Sequence, residues 1–130
     1  MSDENCGTGR ILIVEDNADV GEALFLMVKH FGYEPFLVTH GMAGVLAVDQ
    51  LHPQAVLMDI NLPDIDGCEA ARRIYAKHAY LANKIIALTA LGGAEDIQRT
   101  RAAGMRYHLV KPVHVDLLQV ALESLNKPLH

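Results

Sequence analysis

The stretch Ala55-Val-Leu-Met-Asp59 is an apolar run that ends in a carboxylate. Four or five consecutive apolar residues indicate a strand that is buried on both faces, as in a parallel sheet covered by helices. The same plan recurs in three further segments: Ile11-Leu-Ile-Val-Glu15-Asp16, Ile85-Ile-Ala-Leu-Thr89 and His108-Leu-Val-Lys111-Pro112. Ligands of open parallel sheets bind outside the carboxyl ends of the strands. The sequence therefore predicts that carboxylates, a hydroxyl and an ammonium group meet at one edge of a sheet.

The rest of the chain alternates strand and helix signals. Strands are predicted at about 10–15, 34–38, 55–59, 84–89 and 107–110, and helices at about 17–31, 40–51, 66–77, 94–103 and 114–125. The second strand is short and is expected at an edge. The last helix is expected to turn its apolar residues inward: Leu117, Leu118, Ala121, Leu122 and Leu125. The alternation predicts an α/β fold, (βα)5, with a doubly wound parallel five-stranded sheet and helices on both faces.

Size and composition fit one globular domain. The 130 residues are 51% hydrophobic, enough for one core, which we place at residues 10–126 between a flexible N-terminal tail (1–9) and a C-terminal tail (127–130). The net charge of −5 argues against non-specific nucleic-acid binding, which needs a basic face. No apolar run reaches the ~18 residues of a membrane span. Two cysteines in unrelated contexts are typical of a reducing compartment, so a cytoplasmic location is predicted.

Three of the residues at the predicted sheet edge are acids: Glu15, Asp16 and Asp59. Carboxylates within a few ångströms raise one another's pKa, and a divalent cation removes that penalty. Mg²⁺ suits one or two carboxylates together with waters and phosphate oxygens. Taken alone, Asp16 would equally serve as a helix N-cap. Asp64 and Asp66, farther along the loop after Asp59, are expected to be turn and cap residues.

Lys111 and Thr89 complete this set. A lysine directly after a buried strand supplies a fixed positive charge for a phosphate or a carboxylate, and Pro112 can hold the following turn, including through a cis bond. In isolation Lys111 would be an ordinary loop lysine. Thr89 would be an ordinary strand residue, because β-branched residues favour strands. Their place at equivalent strand ends favours a joint phosphate site.

The combined motifs resemble the response-regulator receiver domain of two-component signalling. The matching segments are Glu15-Asp16, Met58-Asp59 with Pro63 and Gly67, Ala87-Leu-Thr89-Ala90, and Leu109-Val-Lys111-Pro112, in order along residues 10–125. The resemblance implies a flavodoxin-like strand order of 2-1-3-4-5. It also implies a signalling phosphoacceptor rather than an enzyme, either standing alone or as the receiver of a hybrid histidine kinase, whose kinase activity would lie elsewhere in that protein.

The resemblance assigns roles around the acids. Asp59 would be the phosphoacceptor, and the donor would be a phosphohistidine of a histidine kinase or of a histidine phosphotransfer protein. Mg²⁺ would be bound directly by Asp16 and Asp59, mostly through water by Glu15, and by the backbone carbonyl of Asn61.

The resemblance also assigns phosphoryl contacts and a switch. Thr89 and Lys111 would contact the phosphoryl oxygens, and the small Ala90 would leave room for them. Members of this family carry Tyr or Phe three residues before the lysine, as a ring that turns inward on activation. This chain has His108 there, so a smaller and titratable ring occupies the switch position.

The face of strand 4, helix 4 and strand 5 is the implied surface for a downstream protein. Three arginines are expected near it: Arg99, Arg101 and Arg106. They would either meet an acidic partner or be solvated, and the sequence leaves both readings open.

Two other functions also stay open. A Mg²⁺-dependent phosphatase of the aspartyl-nucleophile type wants a second Asp two residues after the first, where Asn61 cannot transfer a proton. A pseudo-receiver would bind partners without phosphorylation, although the residues for the chemistry are all present. Within the receiver interpretation, the apolar Leu91 cannot position an attacking water, which predicts slow loss of the phosphoryl group.

Overall fold

The apolar runs form five parallel strands in the computed structural model, which describes residues 9–90 and 93–125. The strands are β1 (Arg10–Val14), β2 (Glu34–Val38), β3 (Ala55–Asp59), β4 (Ile85–Thr89) and β5 (Tyr107–Val110). The helices are α1 (Ala18–His30), α2 (Gly41–Leu51), α3 (Gly67–Lys77), α4 (Ala94–Ala102) and α5 (Val115–Leu125). The strand order β2-β1-β3-β4-β5 confirms the predicted doubly wound α/β fold and the edge position of the second strand.

Helices cover both faces of the sheet, and the sheet separates the core into two layers. Leu12 and Val14 of β1 pack in the layer that contains α2 and α3, whereas Ile11 and Ile13 pack in the layer that contains α1 and α5. Strand side chains alternate between faces, so a strand that is apolar at every position must be covered on both. In the described ranges, no helix has the length and apolar character that crossing a membrane requires.

Two helices, α1 and α3, begin at a polar residue whose side chain caps the helix. Asn17 caps α1, because its Oδ1 accepts the backbone N–H of Val20 at 3.1 Å. Asp66 caps α3 in the same way through the N–H of Glu69, as expected for a cap residue. The N-cap of α1 is therefore Asn17 and not Asp16, whose side chain is left for the sheet edge.

The inward stripe of α5 is narrower than predicted. Leu118, Ala121, Leu122 and Leu125 are buried, but the prediction for Leu117 is wrong, because its side chain is 58% exposed. Each residue advances about 100° around a helix, which places Leu117 outside the stripe that faces the sheet. A 3₁₀ turn at Ala79–Leu81, between α3 and β4, was also not predicted.

The loop between β3 and α3 returns close to the end of β3. The Gly67 N–H donates to Ile60 O at 3.1 Å, and a Cβ on Gly67 would lie 2.2 Å from Asp59 O. Asp64 of this loop accepts the N–H groups of Met42 and Gly41 at 2.9 and 2.8 Å, which lowers the pKa of Asp64 to about 2. The loop is thus fixed between Asp59 and the start of α2.

The predicted tails and Leu91 lie largely or wholly outside the described residues. Residues 1–8, 91, 92 and 126–130 are the parts of the chain that the structure does not describe. Gly9, which we grouped with the N-terminal tail, donates its N–H to Gln54 Oε1 at 2.7 Å.

Replacing Gly67 by Ala is expected to lower the free energy of unfolding by about 1–3 kcal/mol, the usual effect of overpacking. The added methyl group meets the backbone of Asp59, which cannot rotate away as a side chain would. Urea unfolding of the full chain measures the change. Gly93→Ala is the matched control, because among the described residues no atom outside its own segment lies within 4 Å of the position of its Cβ. Equal losses in the two variants would contradict the proposed close approach.

Candidate functional site

The strand register brings the predicted polar residues to one edge. Asp59 at the end of β3 pairs with Leu88, and Thr89 at the end of β4 pairs with Val110. Lys111 follows β5 by one residue, and its N–H donates to Thr89 O at 2.8 Å. Parallel strands end at the same edge, so the side chains of three neighbouring segments meet without help from long loops.

Three carboxylates form a cluster at this edge. Glu15, Asp16 and Asp59 each offer one oxygen, and these oxygens lie within 4.8 Å of one another. Glu15 is 1% and Asp59 2% exposed, whereas Asp16 is exposed to solvent. Carboxylate oxygens with an open, solvent-facing side are the ligands that Mg²⁺ takes in proteins. The cluster could therefore hold a metal ion.

Lys111 supplies the positive charge in the cluster. Its Nζ lies 2.7 Å from Glu15 Oε1 and 3.0 Å from Asp59 Oδ2. Burial raises the pKa of Glu15 more than the contact with Lys111 lowers it. Burial alone would lower the pKa of Lys111, but its hydrogen bonds with the two carboxylates raise it from its ordinary value. The ammonium group thus stays charged beside two acids.

Both oxygens of Asp59 are held in place. Oδ1 accepts the N–H of Asn61 at 2.9 Å, and Oδ2 accepts the ammonium of Lys111 at 3.0 Å. Glu15 is fixed similarly, because its Oε2 accepts the N–H of Asn17 at 3.1 Å. The structure therefore places Asn61 beside Asp59 through a backbone N–H, a contact that the sequence analysis did not predict.

Thr89 has a buried hydroxyl that the described part of the fold leaves unpaired. Its Oγ1 is fully buried and has no hydrogen-bond partner within the described residues. Buried polar atoms are almost always satisfied, so an unpaired hydroxyl at a strand end indicates a group that a ligand would complete. Ala90, the next residue, is exposed and adds no side chain beyond a methyl group.

Comparison with known proteins assigns the family. A model of the response regulator receiver domain matches residues 11–123, nearly the whole described fold. The chain belongs to this family. It is a receiver domain of two-component signalling, a module that relays signals.

Similar receiver sequences occur in longer proteins. Hybrid signal transduction histidine kinase H of Dictyostelium discoideum is 30% identical over 118 residues, which cover 88% of this chain and 9% of the kinase. Transcriptional regulatory protein PdtaR of Mycobacterium tuberculosis is 37% identical over 117 residues, which cover 88% of this chain and 55% of that protein. The chain thus spans about half or less of the length of these two relatives.

A solved receiver structure matches the fold closely. The receiver domain of sensor histidine kinase PA1611 from Pseudomonas aeruginosa is 35% identical and superimposes with a TM-score of 0.83. The match covers 90% of this chain and 96% of that one. That receiver holds a magnesium ion in its active-site cleft.

His108, which lies where other members of the family carry an aromatic ring, contacts helix α4. Its Nε2 contacts Thr100 Oγ1 on α4, and Thr100 Oγ1 lies 3.1 Å from Ile97 O. When the hydroxyl donates to Ile97 O, the imidazole donates to the hydroxyl from Nε2. Burial, and then the charge of Arg101, lower the pKa of His108. Thr100 was not predicted, and its only signal in the sequence is that it is the single hydroxyl residue of α4.

Glu15→Gln is expected to stabilise the metal-free receiver near neutral pH, because burial disfavours the charged form of Glu15 more than Lys111 favours it. Lys111 keeps Asp59 as its partner in the variant. Mg²⁺ at a hundred times its dissociation constant would add ~2.7 kcal/mol to the wild-type chain. The variant should gain less, since it lacks one acid of the cluster. Urea unfolding with EDTA and with Mg²⁺ measures both changes. A variant that is less stable in EDTA would refute the electrostatic explanation.

His108→Ala is expected to speed backbone hydrogen exchange in α4 several-fold. α4 buries only Thr100 among its residues, and the imidazole satisfies that hydroxyl from β5. Exchange of Ala94–Ala102, followed by mass spectrometry, measures the effect, with α1 as the internal reference. Unchanged exchange in α4 would show that the contact with His108 does not hold this helix.

Proposed function

We propose that this receiver accepts a phosphoryl group on Asp59 from a phosphohistidine of a partner protein, in a reaction that depends on Mg²⁺. The observation that carries the proposal is the placement of Asp59, a buried carboxylate that Lys111 holds inside an acidic cluster. The neighbouring strand ends in Thr89, whose buried hydroxyl has no partner within the described residues. Phosphoryl transfer needs alignment and charge neutralisation more than covalent help, and these residues are suited to both.

The transfer is a direct displacement. An oxygen of Asp59 forms a bond to phosphorus as the bond between phosphorus and the donor imidazole nitrogen breaks, and the leaving imidazole keeps the electron pair and takes a proton from solvent. Glu15, Asp16 and Asp59 would hold Mg²⁺, with Asn61 completing the set through its backbone carbonyl. The bound ion would neutralise charge on the phosphoryl oxygens. Lys111 would pair with another of those oxygens.

Phosphorylation would change the contacts at the end of β4. An aspartyl phosphate adds about two negative charges and strong acceptor oxygens. The buried hydroxyl of Thr89 would donate to one of these oxygens, because it has no partner within the described residues. That bond would bias the segment between β4 and α4, with Ala90 leaving room for the phosphoryl group.

His108 would determine how easily α4 moves when the segment between β4 and α4 changes. We propose that it acts through its contact with Thr100, in place of an aromatic ring that turns toward Thr89. The output would then depend on whether the imidazole keeps α4 against β5. The downstream protein would bind the face formed by β4, α4 and β5.

The similar proteins support the class of phosphoryl donor. Hybrid signal transduction histidine kinase H and the receiver of sensor histidine kinase PA1611 are both named as histidine kinases. The donor would therefore be a histidine kinase or a histidine phosphotransfer protein. The magnesium ion in the PA1611 receiver supports the same metal here.

Incubation of the full chain with acetyl phosphate and Mg²⁺ should add one phosphoryl group, seen as a single step in intact mass. Asp59→Asn should abolish the gain, and EDTA should reduce it to background. Asp19→Asn is the matched control, because Asp19 is an exposed carboxylate in the first turn of α1 and should leave the gain intact.

Other results would assign other functions. Continuous release of inorganic phosphate without a stable adduct would favour a phosphatase. No adduct and no turnover in the wild-type chain would favour a phosphorylation-independent interaction module. Either result would overturn the proposal.

A further inference from the structure

A basic surface cavity lies between α4 and β5. It has a volume of about 340 Å³ and is lined by Arg101, Arg106 and Tyr107. Arg101 belongs to the last turn of α4, whereas Arg106 directly precedes β5. The volume falls within the range of small-ligand sites, but such sites are mostly apolar and this cavity presents two guanidinium groups.

The two arginines differ from all others in the described part of the chain. Arg10 pairs with Glu34, Arg72 and Arg73 with Glu69, and Arg99 with Asp66 and Asp96. Arg101 and Arg106 form no ion pair with a carboxylate of the described residues, although the chain has 16 acids and 11 basic residues. The arginines without a carboxylate are therefore the two that line the cavity.

The charge of Arg101 acts on a titratable group within the fold. The imidazole of His108, on the strand that follows Arg106, has a lowered pKa because of burial and then the charge of Arg101. An anion placed beside Arg101 would offset that charge. His108 thus provides a reporter, inside the receiver, for occupancy of the cavity.

We propose that this basic cavity, formed by Arg101, Arg106 and Tyr107, binds an acidic segment of a partner protein through side-chain carboxylates. Guanidinium groups pair with carboxylates in a two-pronged geometry, and two of them at one cavity fit acids spaced along a polypeptide. The proposal resolves the choice between an acidic partner and a solvated face for Arg101 and Arg106. Arg99 is excluded, because it pairs within the chain.

A polypeptide fits the cavity better than a free anion. Both arginines are exposed, and exposed ion pairs contribute only about 0–1 kcal/mol each, so a small anion would be held weakly. A protein segment can add contacts beyond the cavity, for example with Val110, whose apolar side chain is 49% exposed on β5. The tyrosine ring of the cavity adds a flat apolar surface of the kind that protein interfaces favour.

The test uses the full chain and a capped peptide of glutamates, with the equivalent glutamine peptide as reference. Backbone amide shifts of Arg101, Arg106 and Tyr107 should follow the glutamate peptide only, and the pKa of His108 should rise in the complex. Arg101→Gln and Arg106→Gln should each weaken binding by about two- to fivefold, the change expected for an exposed ion pair. Lys29→Gln, which removes an exposed charge on α1, is the matched control and should bind as the wild type does.

Each other outcome would overturn the proposal. Absence of shifts, or shifts with the glutamine peptide, would show that carboxylates are not recognised. Equal weakening by Lys29→Gln would indicate a response to net charge alone. Inorganic phosphate giving the same shifts at the same concentration would make this a small-anion site and not a protein-binding one.

The basic cavity specifies the chemistry of the partner for the proposed face of β4, α4 and β5, and binding there does not require phosphoryl transfer. Asp59→Asn, which should take no phosphoryl group, should still bind the glutamate peptide. The arginine variants should still accept phosphate from acetyl phosphate, because their side chains lie outside the acidic cluster. Failure of one measurement is therefore distinguishable from failure of the other.

Discussion

Two buried carboxylates share one ammonium group at the carboxyl edge of the sheet. Lys111 lies within 3.0 Å of both Glu15 and Asp59, which are almost fully buried. A buried charge without a partner destabilises a fold strongly, so the three side chains constrain one another. The ends of β1, β3 and β5 must stay in register for this arrangement to exist. The strand register that builds the fold therefore also positions the site.

The charges of this cluster are not balanced within the protein, which suits it to bind a cation. Two acids and one lysine leave an excess negative charge, and the exposed Asp16 adds to it. A divalent cation would balance this excess. An incoming phosphoryl group would in turn bind Lys111 and the hydroxyl of Thr89, which has no partner in the described ranges. Each step would therefore replace one set of charge contacts with another.

The sequence predicted the sheet edge well because that information is local. Apolar runs define buried strands, and the residue that ends each run must lie at the carboxyl edge. The contacts that depend on packing were not predictable in this way. The exposure of Leu117 depends on how α5 lies on the sheet. The contact of His108 with Thr100 joins β5 to α4, and the hydrophobic pattern of the sequence does not indicate how close these two elements lie. Whether Asn17 or Asp16 caps α1 depends on the residue at which the helix begins, which the sequence pattern does not fix to one position.

The most direct test of the central claim is ¹⁹F NMR of the full chain with Mg²⁺ and beryllofluoride, a tetrahedral analogue of a phosphoryl group. The account predicts bound fluoride resonances that require Mg²⁺, disappear in Asp59→Asn, and accompany amide shifts at Thr89 and Lys111. Bound resonances that persist in Asp59→Asn, or their absence in the wild-type chain with Mg²⁺, would contradict it.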